Sequence, residues 1–171
     1  MMHDSSRSRF IRGDLKGVGN PIRPPWTIAE TRFLDQCTRC NDCISACPKQ
    51  IIKTGPGQYP IVDFTHNGCD FCQLCVQACK TGALCIDQSE DSAPWSIQAS
   101  FLKECLSMNG VVCRSCSEVC PTRAIRFSLK PGGSAQPLLI AEQCNGCGEC
   151  LAVCPVKSID FSNNSVRAQV A

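Results

Sequence analysis

Four cysteines close to the end of the chain have a spacing that suits iron–sulfur chemistry. Three thiolates at intervals of two residues can wrap one [4Fe–4S] cluster, and where two clusters lie side by side the fourth thiolate ligates the other one. Gly146 and Gly148 suit such a loop, because residues without a Cβ adopt positive φ and let backbone amides approach the sulfides. The pattern C-x2-C-x2-C-x3-C-P is formed by Cys144, Cys147, Cys150, Cys154 and Pro155.

The pattern occurs three more times, and we number the four stretches as motifs one to four in chain order. Motif one contains Cys37, Cys40, Cys43 and Cys47. Motif two contains Cys69, Cys72, Cys75 and Cys79, with Lys80 in place of the closing proline. Motif three contains Cys105, Cys113, Cys116 and Cys120. Four motifs predict four [4Fe–4S] clusters.

Motif three departs from the pattern because seven residues, Leu106–Val112, separate Cys105 from Cys113. Two interpretations remain open here. Either the longer loop still brings Cys105 to the cluster, or Cys105 does not ligate and the cluster is labile.

The 171 residues include 17 cysteines, and Cys85 is the one outside the motifs. It follows Ala83 and Leu84 on a predicted buried strand, so we expect a small hydrophobic core residue rather than a ligand. An odd number of cysteines argues against a disulfide framework. Structural zinc sites use separated C-x2-C pairs, so a zinc-stabilised interaction module is disfavoured.

The remaining composition excludes several functions. A net charge of +2 offers no footprint for nucleic acid. Neither His3 nor His66 stands in a pattern with a serine or an acid, so we expect no independent active site and no enzyme. No run approaches the length of a membrane span, and the first residues lack the apolar region of a signal peptide. The expected location is the cytoplasm, where thiols stay reduced.

The elements that must position the cysteines form a repeat. Each last cysteine is followed by a turn and a small or aliphatic pair, such as Ile51-Ile52 and Ala124-Ile125. The closing cysteines lie 32 residues apart in the first pair (Cys47 to Cys79) and 34 apart in the second (Cys120 to Cys154), so the motifs group two and two. The predicted boundaries are residues 1–31 (a basic arm), 32–87 (unit one), 88–96 (a linker), 97–162 (unit two) and 163–171 (a tail).

The arm contains glycines and prolines that disfavour regular structure, so it is predicted to be extended with local turns. Its basic residues form either an ordinary solvated tail or a surface for a partner protein. Trp26 follows Pro24-Pro25, and packing of the arm onto the body is the favoured role for its ring. The candidate partner-binding residues are Arg7, Arg9, Arg12, Arg23 and Trp26.

Each pair of motifs resembles a complete two-cluster bacterial ferredoxin. The resemblance implies an α+β fold of two tandem two-cluster [4Fe–4S] ferredoxin-like units with an extended N-terminal arm. It also implies crossed ligation. In the first half the expected ligand sets are Cys37, Cys40, Cys43 with Cys79, and Cys69, Cys72, Cys75 with Cys47. In the second half they are Cys105, Cys113, Cys116 with Cys154, and Cys144, Cys147, Cys150 with Cys120.

Several further stretches occur in the order found in one family: Ile22-Arg23-Pro24-Pro25-Trp26, Cys37-Thr38-Arg39-Cys40 and Cys113-Arg114-Ser115-Cys116. With the basic arm, they resemble the NapF family of ferredoxin-type proteins of the periplasmic nitrate reductase system. The resemblance implies a cytoplasmic iron–sulfur accessory protein. Its partner would be the precursor of the catalytic subunit NapA, whose maturation it would assist before export by donating electrons or iron–sulfur components. The competing hypothesis is a plain low-potential electron carrier that serves a redox partner.

Overall fold

The computed structural model of the chain describes residues 21–86, 93–129 and 135–163. They contain short helices and small antiparallel sheets, so the predicted α+β content is confirmed, while the tandem ferredoxin arrangement stays a prediction. The chain divides into two compact units. The first comprises Met1–Asp63 and Gln73–Gln88, and the second comprises Phe64–Cys72 and Ser89–Ala171.

Within the described residues, the first unit contains three helices and one two-stranded sheet. The helices are α1 (Glu30–Gln36), α2 (Asp42–Ser45) and α3 (Leu74–Ala78). The strands are β1 (Ile52–Thr54) and β2 (Pro60–Val62), which are joined through the 3-10 turn Pro56–Gln58. They pair antiparallel, with Ile52 opposite Val62.

The segment from residue 22 onward is built into the first unit. The Val62 amide donates to the Ile22 carbonyl at 2.7 Å, and the Cys85 amide donates to the Trp26 carbonyl at 2.9 Å. Thr27 forms an isolated antiparallel bridge with Leu84. Only the earlier part of the predicted arm, residues 1–20, lies outside the described residues. The proline-rich element therefore serves as an extra extended layer over the unit.

In the part of the second unit that the structure describes, there are two helices and four strands. The helices are α4 (Ser115–Glu118) and α5 (Glu149–Ala152). The strands are β3 (Ile97–Phe101), β4 (Ile125–Leu129), β5 (Ala135–Leu139) and β6 (Ile159–Asn163). Two 3-10 turns, Ser107–Asn109 and Ala141–Gln143, complete the unit. Strand β3 pairs antiparallel with β6, and β4 pairs antiparallel with β5.

Cysteines form part of the core of the second unit. The buried cluster consists of Ala99, Ile125, Cys150, Cys154 and Ile159. Three of these side chains come from the paired strands, and two come from motif four. Thiols thus take core positions that larger apolar side chains fill in an ordinary small domain. Among the described residues, no helix is long and apolar enough to cross a bilayer.

Each of the two compact units is made of two separate stretches of the chain. Residues 64–72, which include Cys69 and Cys72, group with the second unit. Residues 87–92 of the predicted linker and 164–171 of the predicted tail lie outside the described residues. The boundaries inferred from the sequence stay a prediction.

Candidate iron–sulfur sites

The loops of motifs one, two and four share one backbone pattern. In each, the residue before and the residue after the second cysteine have positive φ, a conformation that residues other than glycine adopt rarely. Alternation of left-handed and right-handed residues turns successive N–H groups into a concavity that attracts anions and recurs at iron–sulfur sites. The loops therefore fit a cluster with negatively charged sulfides. The residues and angles are Arg39 (60°), Asn41 (65°), Phe71 (58°), Gln73 (63°), Gly146 (73°) and Gly148 (84°).

A second repeated turn follows each closing cysteine, three residues further on. It also has positive φ: Gln50 (54°), Gly82 (71°), Arg123 (54°) and Lys157 (47°). The turn reverses the chain directly after the ligand, so that the next strand begins beside the site. Only one of the four positions is a glycine, which is why this repeat was not visible in the residue types.

In the first unit the structure brings the thiols of motif one to the last thiol of motif two. Burial, and then the charges of Cys37, Cys40, Cys75 and Cys79, raise the pKa of Cys43 to about 12. These groups all belong to the first compact unit. The Cys79 Sγ accepts the Leu84 amide at 3.3 Å, a type of hydrogen bond that tunes a cluster ligand.

In the second unit the first three thiols of motif three line a cavity of about 340 Å³, measured with its open mouth. Its walls include the apolar side chains of Phe101 and Phe127. Burial, and then the charges of neighbouring thiols led by Cys105, raise the pKa of Cys116 to about 11. The four thiols that share this cavity are Cys105, Cys113, Cys116 and Cys154.

The long loop of motif three is ordered by local hydrogen bonds. The Asn109 side chain donates to the carbonyls of Lys103 and Cys105, both at 2.8 Å. The Ser107 hydroxyl donates to the Ala135 carbonyl on β5. These bonds fold the loop into a 3-10 turn, so its extra residues leave Cys105 at the cavity wall.

Motif four gathers its thiols around Cys150. Burial raises the pKa of Cys150, and the charges of Cys147, Cys144, Cys116 and Cys120 raise it further. Burial also raises the pKa of Cys147, against a hydrogen bond from the Glu149 amide. The structure therefore brings Cys120, the last cysteine of motif three, to motif four.

The closing cysteines of motifs two, three and four have hydroxyl neighbours that the sequence interpretation missed. Burial acts to raise the pKa of Cys120, but hydrogen bonds led by Thr122 outweigh it and the pKa is lowered. The pKa of Cys154 is lowered in the same way, because hydrogen bonds led by the Ser158 hydroxyl outweigh the effect of burial. The Ser158 amide also donates to the Cys154 Sγ at 3.3 Å. A Ser or Thr shortly after the closing cysteine is the signal that could have found these residues, and Thr81 beside Cys79 follows it.

The cysteines of motif two are divided between the units. Cys69 and Cys72 belong to the second unit, whereas Cys75 and Cys47 belong to the first. The Phe71 amide donates to the Cys69 Sγ at 3.4 Å. The ligand set of Cys69, Cys72, Cys75 and Cys47 stays a prediction.

The placement predicted for Cys85 is wrong. Ala83 and Leu84 are buried as expected, but the Cys85 side chain is exposed. The stretch forms an isolated bridge with Thr27, and the Cys85 backbone amide, but not its side chain, takes part in the contact by donating to the Trp26 carbonyl. Its thiol lies 3.8 Å from the Ile86 carbonyl.

The candidate partner-binding residues fall into two groups. Arg7, Arg9 and Arg12 lie outside the described residues. The Arg23 guanidinium donates to Glu30 at 2.8 and 3.2 Å, and Trp26 is buried. Arg23 also lies over the Phe33 ring, 5.0 Å from its centre. Both residues hold the proline-rich element on the first unit, and their role toward a partner stays a prediction.

Among the described residues, no three His, Cys, Asp or Glu side chains are grouped to hold a single metal ion. A [4Fe–4S] cluster places a different demand on its ligands, because each of its four irons takes one thiolate. The donor set here is made of cysteines, and backbone amides point at several of their sulfurs. These residues fit a [4Fe–4S] cluster.

Two family models match separate parts of the chain. A 4Fe–4S dicluster domain matches residues 36–84, and the LdpA Fe–S cluster-binding domain matches residues 111–165. The chain therefore carries two iron–sulfur-binding domains, one in each half of the sequence.

Whole-chain comparisons agree with this result. The ferredoxin-type protein NapF of Escherichia coli (strain K12) is 40% identical over 148 residues, which cover 86% of this chain and 88% of that protein. NapF of Haemophilus influenzae is 42% identical over 127 residues, covering 74% and 70%. The methylamine utilization ferredoxin-type protein MauM of Methylobacillus flagellatus is 33% identical over 157 residues, covering 82% and 67%. With its cysteines gathered in this way and this degree of identity, the chain belongs to the NapF family of ferredoxin-type proteins.

Proposed function

We propose that the chain holds four [4Fe–4S] clusters and acts as an accessory protein of periplasmic nitrate reductase. In this proposal it works in the cytoplasm, binds the precursor of the catalytic subunit NapA and assists its maturation before export. The bound clusters supply one-electron transfer. The chain itself covers most of the ligands at least in part, and it directs amide and hydroxyl donors at several of their sulfurs.

The observation that carries the cluster assignment is the cavity of motif three. Its four thiols are those of a crossed ligand set, although Cys105 and Cys154 are far apart in the sequence. The approach of Cys79 to motif one and of Cys120 to motif four supports the same crossing. The proposed ligands are the sixteen cysteines of the four motifs, and the arrangement they support is two tandem ferredoxin-like units.

Iron and sulfide analysis of anaerobically purified protein tests the cluster assignment. Four clusters per chain are expected, with electron paramagnetic resonance (EPR) of the reduced protein showing their signals. Stoichiometric zinc, or disulfides without iron, contradicts the assignment.

The basic residues of the N-terminal arm support the accessory role over that of a plain electron carrier. Arginine side chains pair with carboxylates through two parallel hydrogen bonds, so they suit binding to a specific partner protein. An electron carrier does not need such residues, because an exposed cluster and a weak contact surface are enough for it. Arg23 and Trp26 attach the base of the arm to the first unit. We propose that Arg7, Arg9 and Arg12, which precede this attachment, contact the partner.

Calorimetry with the NapA precursor at two salt concentrations tests the partner. The triple variant Arg7→Ala, Arg9→Ala, Arg12→Ala should bind more weakly while keeping its visible cluster absorbance, and salt should weaken the parent in the same way. Equal binding by the parent, the triple variant and a protein without residues 1–20 would favour the electron-carrier alternative.

A further inference from the structure

A short segment of motif two has unusual surroundings. Residues 64–72 contain Cys69 and Cys72, yet they pack with the second compact unit. The sequence repeat offers no reason for this, because motif two was expected to fold with motif one. The contacts of the segment identify what holds it.

Gly68 lies against the backbone of motif four. A Cβ at this position would stand 2.6 Å from the Glu149 amide nitrogen and 2.7 Å from the Cys147 carbonyl oxygen. Gly68 has no left-handed φ, so the glycine is required for space rather than for conformation. The next residue completes the contact, because the Cys69 amide donates to the Cys147 carbonyl at 2.7 Å. A cysteine of motif two is thus hydrogen-bonded to a cysteine of motif four.

The beginning of the segment is held by aromatic packing. A Cβ on Gly148 would stand 2.2 Å from the Phe64 ring, so this ring lies directly on the motif-four loop. The Phe64 ring also contacts Phe161 and Trp95, with centres 5.2 and 5.6 Å apart. Phe71, at the other end of the segment, contacts the same Trp95 ring at 5.8 Å.

Lys157 joins the segment to helix α5. Its Nζ donates to the carbonyls of Leu151 and Ala152, at 3.2 and 2.9 Å, and to the Thr65 carbonyl at 2.8 Å. The Leu151 carbonyl also accepts the Cys154 amide at 3.1 Å, and the ammonium group adds a charged donor to both carbonyls at the end of the helix. One side chain therefore closes the helix and fixes residue 65.

We propose that Gly68 and Lys157 are positioning residues that hold the motif-two segment on motif four, so that the cluster ligated by Cys69 and Cys72 is retained only while this contact is intact. The inference rests on the proposed function in taking these two cysteines as ligands. Without the contact, the segment regains backbone freedom, and ordering it again opposes cluster binding.

The first test compares two glycine substitutions in the full chain. Gly68→Ala must displace backbone atoms of motif four, whereas Gly82→Ala, also after motif-two cysteines, meets nothing within 4 Å. Anaerobically purified Gly68→Ala should lose one cluster's iron and sulfide. Gly82→Ala should keep the parent's iron and sulfide content, because its left-handed turn is strained by the new Cβ but no neighbouring atom is displaced. The lost cluster should be the one that Cys69→Ser removes. The double variant should then lose no more iron than Cys69→Ser alone, because effects on one site are not additive.

The second test uses Lys157 and does not alter the packing of a glycine. Lys157→Met removes the donors and should lose the same EPR signal as Cys69→Ser. Lys157→Arg keeps several donors and should restore that signal. If Gly68→Ala fails to fold and loses all its iron, the comparison of Lys157→Met with Lys157→Arg still tests whether the contact retains the cluster.

A third measurement does not depend on iron. Hydrogen exchange of the peptide containing Cys69 should be slow in the parent and in Gly82→Ala, and several-fold faster in Gly68→Ala and Lys157→Met. Iron-free parent protein contradicts the proposed function, and hydrogen exchange then decides the inference by itself. Where the parent contains iron, an unchanged iron content in both Gly68→Ala and Lys157→Met overturns the inference.

Discussion

Among single residues, the third cysteine of motifs one, three and four is the thiol whose ionisation is most opposed. Burial is the main cause, and neighbouring thiols add to it, so the pKa values of Cys43 and Cys116 rise to about 12 and about 11 and that of Cys150 rises as well. A thiol with a raised pKa keeps its proton at neutral pH. Iron must displace that proton, and its positive charge then relieves the repulsion among the thiolates.

Cys85 should be dispensable for the clusters. Because its side chain is exposed, Cys85→Ser is expected to change the free energy of unfolding by less than about 0.5 kcal/mol. Iron analysis should show an unchanged cluster content, whereas Cys147→Ser in motif four should lose at least one cluster. Equal losses in the two variants would make Cys85 a ligand.

The repeated turn after each closing cysteine allows a paired substitution. Gly82→Ala should lower the free energy of unfolding by about 1 kcal/mol, because a left-handed residue with a Cβ is strained. Gln50→Gly, at the equivalent position of motif one, should raise it by up to about 1 kcal/mol for the same reason. Denaturant titration of the two proteins measures both. Changes of the same sign would show that strain does not control this turn.

Among the elements, the loop of motif three combines extra length with extra hydrogen bonds. A longer loop costs more chain entropy to close, which predicts that this site holds the most fragile cluster. The bonds from Asn109 and Ser107 offset part of that cost. The loop also exposes Val111 and Val112 to solvent, at 51% and 94%. Its order therefore depends on hydrogen bonds more than on packing.

Asn109→Ala should shorten the lifetime of the motif-three cluster in air several-fold, because the carbonyls of Lys103 and Cys105 both lose the side-chain donor, although the backbone amide of residue 109 still donates to the Cys105 carbonyl. Cluster absorbance followed after controlled oxygen exposure measures the lifetime. Ser117→Ala is the matched control, since its hydroxyl also donates to a carbonyl, that of Arg114, outside the loop. If the parent protein loses its motif-one or motif-four cluster before its motif-three cluster, the argument from loop length is contradicted.

At the scale of the whole molecule, the clusters and the hydrophobic cores are parts of one structure. The core of the second unit includes Cys150 and Cys154 beside three apolar residues. Only 6% of all residues are aromatic, so few large side chains are available to fill the interior. Metal binding energy in such a protein becomes folding energy.

Removal of iron by an anaerobic chelator should therefore unfold much of the tertiary structure. The near-ultraviolet circular dichroism should flatten, and the denaturant midpoint should fall, because buried thiols lose the irons that join them. Reconstitution with iron and sulfide should restore both signals. An apo-protein with the parent's midpoint would show that the apolar core alone holds the fold.

The spacing of cysteines along the chain was sufficient to predict iron–sulfur chemistry and the number of motifs, whereas the crossed ligand sets came from the resemblance to two-cluster ferredoxins. Ligation of a cluster requires loops of a certain length, so the intervals between the cysteines in the sequence indicate it. The left-handed turns were hidden, because Gln50, Arg123 and Lys157 are not residue types that signal positive φ. The hydroxyls beside the closing cysteines were visible as a Ser or Thr in the sequence, but their role depends on contacts with sulfur that only the fold shows.

Only the tertiary structure decided which distant groups meet. It placed Cys105 in the motif-three cavity, exposed Cys85, and packed residues 64–72 with the second unit. These outcomes depend on the fit between surfaces, such as Gly68 against the Cys147 carbonyl. A close approach of two backbones needs one small residue at one position, and this leaves no periodic pattern in the sequence.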